Sequence, residues 1–106
     1  MRARIVEFVR ADPSAPITLA AMAQVAGMTP SSFVRSFKRS TGLTPHRFVV
    51  EQRVLAARKL LATSDLPLVE IALAVGFSSQ SHFGVAFRAV TGESPARYRR
   101  LQRGQG

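Results

Sequence analysis

The chain carries one residue pattern twice, and this repeat constrains the fold more than any other feature. The first copy begins at Leu19 (LAAMA) and reaches Gly27, and the second begins at Leu68 (LVEIA) and reaches Gly76, an offset of 49. Beyond the glycine the offset is 50, and the matches are Phe33 with Phe83, Phe37 with Phe87, Thr41-Gly42 with Thr91-Gly92, Pro45 with Pro95 and Phe48 with Tyr98. Because a solenoid needs roughly three repeats, we expect one structural unit built twice.

Helix signals follow one another along the chain, and strand signals such as sustained alternation or Asn-Gly turns are missing. Thr29-Pro30, Thr44-Pro45 and Ser94-Pro95 each place a hydroxyl at the N-cap and a proline at the first helical position. Glycines 27, 42, 76 and 92 stand where helices should end. We predict an all-α fold of seven helices, with approximate bounds 2–11, 18–26, 30–41, 45–63, 67–75, 79–91 and 95–102.

Each copy of the repeat has the composition of a helix-turn-helix unit. Its short first helix has apolar residues at i, i+3 and i+4, with a small Ala23 or Ala72 where a second helix would cross. The glycine then makes the turn, and we expect the following residues, Met28 and Phe77, to fill the corner. The predicted organisation is a first subdomain at 1–44, a linker helix at 45–63 and a second subdomain at 64–106.

The second helix of each unit has an apolar inner face and a more polar outer face. At 100° per residue, Phe33 and Phe37 share one side, as do Phe83 and Phe87. This spacing favours core packing over a platform that stacks bases. The outer side of the first of these helices carries Ser31, Arg35 and Lys38, flanked by Ser32, Val34 and Arg39; that of the second carries Ser81, Val85 and Arg88, flanked by His82 and Gly84.

The charge balance indicates a polyanionic partner. Fifteen Lys and Arg residues against six Asp and Glu residues give a net charge of +9. An Arg-rich compact chain favours nucleic acid, although composition alone leaves RNA, DNA and an anionic membrane open. A polar helix face can also be a solvated surface and nothing more. Because the motif is duplicated, we interpret the outer faces as elements that enter the major groove of duplex DNA.

The sequence offers no candidate catalytic, cofactor-binding or metal-binding residues. It has no cysteine, its two histidines, His46 and His82, are far apart, and it shows neither a glycine-rich phosphate loop nor paired carboxylates. No apolar run approaches the ~20 residues that span a bilayer, and the N-terminus leads into an amphipathic stretch and not a signal peptide. We expect a cytoplasmic protein with no enzyme activity and no membrane association.

In the groove-binding interpretation the residues divide by role. The Arg35 guanidinium can bridge both acceptors of guanine, whereas Lys38, Arg39 and Arg88 lie further along their helices, where phosphates are the expected target. The linker helix, at ~1.5 Å per residue, would be ~28 Å long. That length would set the two second helices about one DNA turn apart, and a modest DNA bend is the expected consequence.

These motifs resemble the AraC/XylS family of bacterial transcription regulators. The resemblance covers residues 3–100 and is most specific in the second half, in residues 53–61 (RVLAARKLL), 67–76, 77–83 (FSSQSHF), Phe87, Thr91-Gly92 and 94–99 (SPARYR). It implies a seven-helix domain that binds promoter DNA and usually activates transcription through RNA polymerase. Most members have an upstream effector or dimerisation domain. The resemblance therefore favours the DNA-binding part of a longer regulator over a single-domain member, with any effector bound outside this segment.

The resemblance also assigns roles to residues. Base-reading positions fall on Ser31, Val34 and Arg35 in the first unit and on Ser81, His82 and Val85 in the second, with Gln80 and Arg88 near the DNA backbone. Ser32, Lys38 and Arg39 complete the predicted backbone contacts. One departure is Val85, where many members carry a long polar or basic residue. The second helix is therefore expected either to touch a thymine methyl or mainly to anchor phosphates.

Two other functions stay open at this point. The chain could bind nucleic acid by shape alone, as a nucleoid protein does, or it could be a helical module whose basic face binds an acidic protein. Sequence selectivity distinguishes binding by shape alone from sequence-specific binding, because the affinity of non-specific binding depends on the salt concentration alone. Nothing in the sequence resembles a dimerisation heptad seam, so we expect the domain alone to be monomeric.

Overall fold

The computed structural model describes residues 2–12 and 15–104 and contains helices but no strands in that part of the chain. The helices are α1 (Arg2–Ala11), α2 (Leu19–Ala26), α3 (Pro30–Thr41), α4 (Pro45–Thr63), α5 (Leu68–Ala74), α6 (Gln80–Thr91) and α7 (Pro95–Gln102). The predicted all-α order of helices is confirmed. Three starts differ by one residue because Thr18, Pro67 and Ser79 are caps that precede the first turn. Among the described residues, no helix is both long enough and apolar enough to cross a membrane.

The ends of the second helices are set by the same residue types in both copies of the repeat. Thr29 accepts a hydrogen bond from the Ser32 N–H at the start of α3, and Ser79 accepts one from the His82 N–H at the start of α6. Gly42 and Gly92 end these helices in the left-handed region, with φ of 78° and 84°. A side chain with a Cβ is strained there. The sequence repeat is thus also a repeat of local structure.

The chain separates into two compact units, residues 1–52 and 53–106. Helix α4 begins in the first unit and ends in the second, so the boundary lies within the predicted linker helix. The division into 1–44, 45–63 and 64–106 stays a prediction.

The core of the first unit fixes the orientation of α3. Its buried side chains come from four helices and are Ile5, Val9, Met22, Ala23, Phe33, Phe37, Phe48 and Val49. The ring of Phe37 lies 5.4 Å from that of Phe33 and 5.3 Å from that of Phe48. Because Phe33 and Phe37 are fully buried, the opposite face of α3 is turned to solvent.

The core of the second unit repeats this arrangement and orients α6 in the same way. Its buried side chains are Val54, Ala57, Leu61, Ile71, Ala72, Val75, Phe77, Phe83 and Phe87. The rings of Phe77, Phe83, Phe87 and Tyr98 form a chain with centroid distances of 5.5, 5.6 and 5.4 Å. Such tilted and edge-on pairs stabilise the core beyond their burial alone.

The two corner residues differ, which corrects one expectation from the repeat. Phe77 is 3% exposed and does fill its corner, whereas Met28 is 37% exposed and fills its corner only in part. The Phe77 ring packs between the rings of Phe83, at 5.5 Å, and His82, at 5.4 Å. The residue that corresponds to His82 is Ser32, which has no ring, and Met28 instead lines a groove beside α3.

Arg99 of α7 and Arg103, the residue that caps the end of α7, bind the C-terminal end of α4. Arg99 donates hydrogen bonds to the carbonyl oxygens of Leu61 and Ser64, and Arg103 donates to Ser64 as well. Arg103 also forms an ion pair with Asp65. The carbonyl end of a helix carries partial negative charge, so cations at this position are stabilising. The charges of Arg99 and Arg103 therefore stabilise the fold.

The Asp65–Arg103 ion pair makes a pH-dependent contribution to the stability of the second unit. The hydrogen bond from Arg103, and then its charge, hold the pKa of Asp65 below its usual range. Because the folded-state pKa is lowered, the stabilisation is present above the ordinary carboxyl pKa and is lost as the pH falls through the folded value. We expect Asp65→Asn to lower the Tm slightly at neutral pH, with the difference closing below about pH 4. Thermal unfolding across pH measures it.

An NMR titration provides the control for this pair. In Arg103→Ala the pKa of the Asp65 carboxyl should rise toward its ordinary value. An unchanged pKa would mean that the ion pair does not form in solution.

Candidate nucleic-acid interface

The outer face of α3 is a continuous polar and basic surface. Ser31, Arg35, Lys38 and Arg39 are all exposed, on the side opposite the buried rings. Ser31 and Arg35 lie one turn apart, so they are neighbours on the helix surface. Lys38 and Arg39 lie in the last turn. The residues predicted for the outer side of α3 are therefore exposed together on one side of the helix.

A groove runs between this face and the turn that precedes it. It is lined by residues 27–29 of the turn and by Ser32, Arg35, Ser36 and Arg39 of α3. Two guanidinium groups one turn apart, those of Arg35 and Arg39, thus flank a concave surface. That combination suits an anion, because guanidinium donors match phosphate oxygens.

The outer face of α6 is exposed but much less charged. Gln80, Ser81, His82, Val85 and Arg88 are exposed, whereas Phe83 and Phe87 are fully buried beneath them. The His82 ring meets the Phe77 ring edge-on. This contact gives His82 a structural partner at the N-terminal end of α6, where groove-reading side chains usually lie.

Nine of the eleven predicted DNA-contacting residues are exposed, and two are less so. Val34 and Ser32 are only partly exposed, on the flanks of α3. The Ser32 N–H is also held by the Thr29 cap at 3.4 Å. The structure brings the first unit's predicted residues together on α3 and the second unit's on α6, and their contacts with DNA remain predictions.

Sequence reasoning missed the contribution of the turn. Residues 27–29 and Ser36 line the groove without having been predicted as site residues. A comparison of the two copies of the repeat could have indicated two of these residues, because the copies differ at these two positions. The polar Ser36 of α3 corresponds to Ala86 of α6, and Met28 corresponds to the aromatic Phe77.

Several other cations are engaged in structural contacts. Arg47 pairs with Glu51 at 3.4 Å and Arg97 pairs with Glu93 at 2.7 Å. The Arg58 guanidinium lies 5.5 Å from the centre of the Tyr98 ring. Among the described residues, no cluster of three or more His, Asp or Glu side chains could hold a metal ion.

The fold and this surface together define a tandem helix-turn-helix protein. A sequence family described as a helix-turn-helix domain matches residues 22–101. A probable transcriptional regulator, LumQ of Photobacterium leiognathi, is 43% identical over 82 residues, which are 77% of this chain and 33% of LumQ. The chain belongs to the AraC family of bacterial transcription regulators and has the AraC-type DNA-binding domain of that family.

Two solved structures share the fold over nearly the whole chain. A regulator with an AraC-type DNA-binding domain from Chromobacterium violaceum has a TM-score of 0.90 and 29% identity, covering 98% of this chain and 93% of that one. The DNA-binding domain of the global transcriptional factor AdpA, in complex with a target DNA, has a TM-score of 0.86 and 36% identity, covering 98% and 96%. The chain spans about a third of the length of LumQ.

Proposed function

We propose that the chain binds promoter DNA sequence-specifically, with α3 and α6 each entering a major groove. The observation that carries the proposal is the outer face of α3, where the exposed Arg35 lies between Ser31 and the cations of the last turn. A guanidinium in that position can donate to both acceptors on the major-groove edge of guanine. Lys38 and Arg39 are then near enough to the duplex backbone to bind phosphates.

The other predicted residues take roles that follow from their positions. Ser31 and Val34 on α3, with Ser81, His82 and Val85 on α6, face the bases in this proposal. Ser32, Gln80 and Arg88 join Lys38 and Arg39 in contacting the backbone. The AdpA domain was crystallised with a target DNA, and its similarity over nearly the whole chain supports the same type of partner here.

We further propose that the bound domain regulates transcription, as an activator that contacts RNA polymerase. The family consists of transcription regulators, and the sequence resemblance favours activation. Because one chain supplies both recognition helices, we expect a monomeric domain with no enzymatic function of its own. Its site of action is where bacterial DNA lies, in the cytoplasm, and any effector acts outside this segment.

In vitro selection from a random duplex library, at near-physiological salt, tests sequence-specific binding. We expect enrichment of two short motifs about ten base pairs apart, because two recognition helices on one face of B-DNA meet successive major grooves at that spacing. Affinity for the selected sequence should exceed that for scrambled DNA by about a thousandfold or more.

The salt dependence supplies the control. Selected and scrambled duplexes should both lose affinity as salt rises, with a log–log slope near −0.9 for each phosphate contact. Salt-sensitive binding without any enriched motif would replace this proposal with non-specific, shape-reading nucleic-acid binding. Absence of DNA binding would leave an acidic protein as the partner of the basic face.

A further inference from the structure

The two recognition helices bury the same pair of rings but differ in their outward chemistry. At the offset of 50, Arg35 of α3 corresponds to Val85 of α6, Lys38 to Arg88, and Arg39 to Ala89. The outer face of α3 therefore carries three cations and that of α6 carries one. This difference lies entirely on the exposed side, since the buried rings are the same in both helices. The two helices cannot recognise DNA by the same contacts.

Val85 is the clearest sign of what α6 does differently. It is 72% exposed, the highest value among the large hydrophobic side chains that the described chain exposes. The core beneath it is complete without it, because Phe83 and Phe87 are fully buried. Val85 therefore contributes little to folding, and its burial against a partner would be a net gain.

The surroundings of Val85 permit a close approach. A Cβ added at Gly84 would meet no atom within 4 Å, so the space beside Gly84 on α6 is open. Ala89, one turn beyond Val85, is exposed and small. Arg88 lies on the same side of the helix and supplies positive charge beside the apolar surface. A negatively charged partner with an apolar group on its face fits this combination.

Resting on the proposed function, we propose that α6 reads thymine through van der Waals contact between Val85 and the 5-methyl group. This methyl is the apolar group that the major groove presents, and the groove edges of the other bases are polar. A polar edge against Val85 would lose its water without gaining a hydrogen bond, which is unfavourable. The chain thus combines hydrogen-bond readout by α3 with methyl readout by α6.

Replacing thymine by deoxyuridine tests this contact, because it removes only the methyl and leaves base pairing unchanged. In the selected operator, each thymine of the α6 half-site is replaced singly and binding is measured by fluorescence anisotropy. We expect one or two positions to lose affinity about fourfold, the value for one methyl group withdrawn from an apolar contact. In Val85→Ala the same replacement should cost nothing further.

Val69→Ala is the matched control variant. Val69 is also an exposed valine of the second unit, 45% exposed on α5, and its removal should leave the deoxyuridine penalty intact. Selective binding with no deoxyuridine effect overturns methyl readout, as does a penalty that persists in Val85→Ala, since another group would then contact the methyl. If no sequence is bound selectively, the proposed function itself falls, and the methyl contact with it.

Discussion

The substitution Phe83→Ala is expected to lower the free energy of unfolding of the second unit by about 3–5 kcal/mol. Phe83 is fully buried, and its ring lies 5.5 Å from that of Phe77 and 5.6 Å from that of Phe87. Its removal leaves a cavity between the rings of Phe77, in the turn before α6, and Phe87. Since small domains are stable by only about 5–15 kcal/mol, this loss should leave the unit near its unfolding threshold.

Amide hydrogen exchange, followed residue by residue, measures the effect and its extent. Protection should fall in α5, α6 and α7 and persist in α1, α2 and α3, because each unit has its own core. The matched variant is Phe33→Ala, the corresponding fully buried residue of the first unit, which should give the reverse pattern. If both variants reduce protection equally throughout the chain, the two units unfold as one.

Most of the fold could be predicted because local signals and the repeat agree. A hydroxyl residue before a proline marks the start of a helix, and a glycine that must adopt positive φ marks the end of one. Both signals act through contacts within a few residues. The repeat extended this information, since a prediction for one unit applied to the other. The ring pairs bear this out: Phe37 with Phe48 and Phe87 with Tyr98 have centroid distances of 5.3 and 5.4 Å.

Contacts between distant residues could not be predicted in this way. Arg99 and Arg103 bind Ser64, which precedes them by 35 and 39 residues. In the sequence they look like any other cation of a basic chain, so their structural role was not foreseen. The same reasoning explains why Met28 is more exposed than Phe77. The repeat predicts equal burial at corresponding positions only when their neighbours also correspond.

For the candidate site, the sequence predicted which faces are exposed but not how they are shaped. Helical periodicity placed Arg35 and Val85 on the outer sides of α3 and α6 correctly. The groove beside α3 depends on how the turn at 27–29 lies against Ser36 and Arg39, which is a tertiary property without periodicity. Periodicity likewise gives no measure of the open space at Gly84.

The largest expected effect on function belongs to Arg35→Ala. We expect it to weaken binding to the selected operator by about 1–3 kcal/mol, which is roughly 5- to 150-fold. The preference at one base position should relax at the same time, because in the proposed complex the guanidinium donates two hydrogen bonds that only guanine can accept together. Repeating the selection with the variant and comparing the enriched motifs measures both effects.

Two control variants separate this role from simple loss of charge. Arg4 is exposed on α1, outside the outer face of α3, so Arg4→Ala removes one charge and should change affinity only slightly. Lys38→Ala should weaken binding to all sequences alike and reduce the salt slope by about one. If Arg35→Ala behaves like Lys38→Ala, then Arg35 is a phosphate contact. Specificity in the first unit would then depend on Ser31, on Val34 and on the groove formed with the turn.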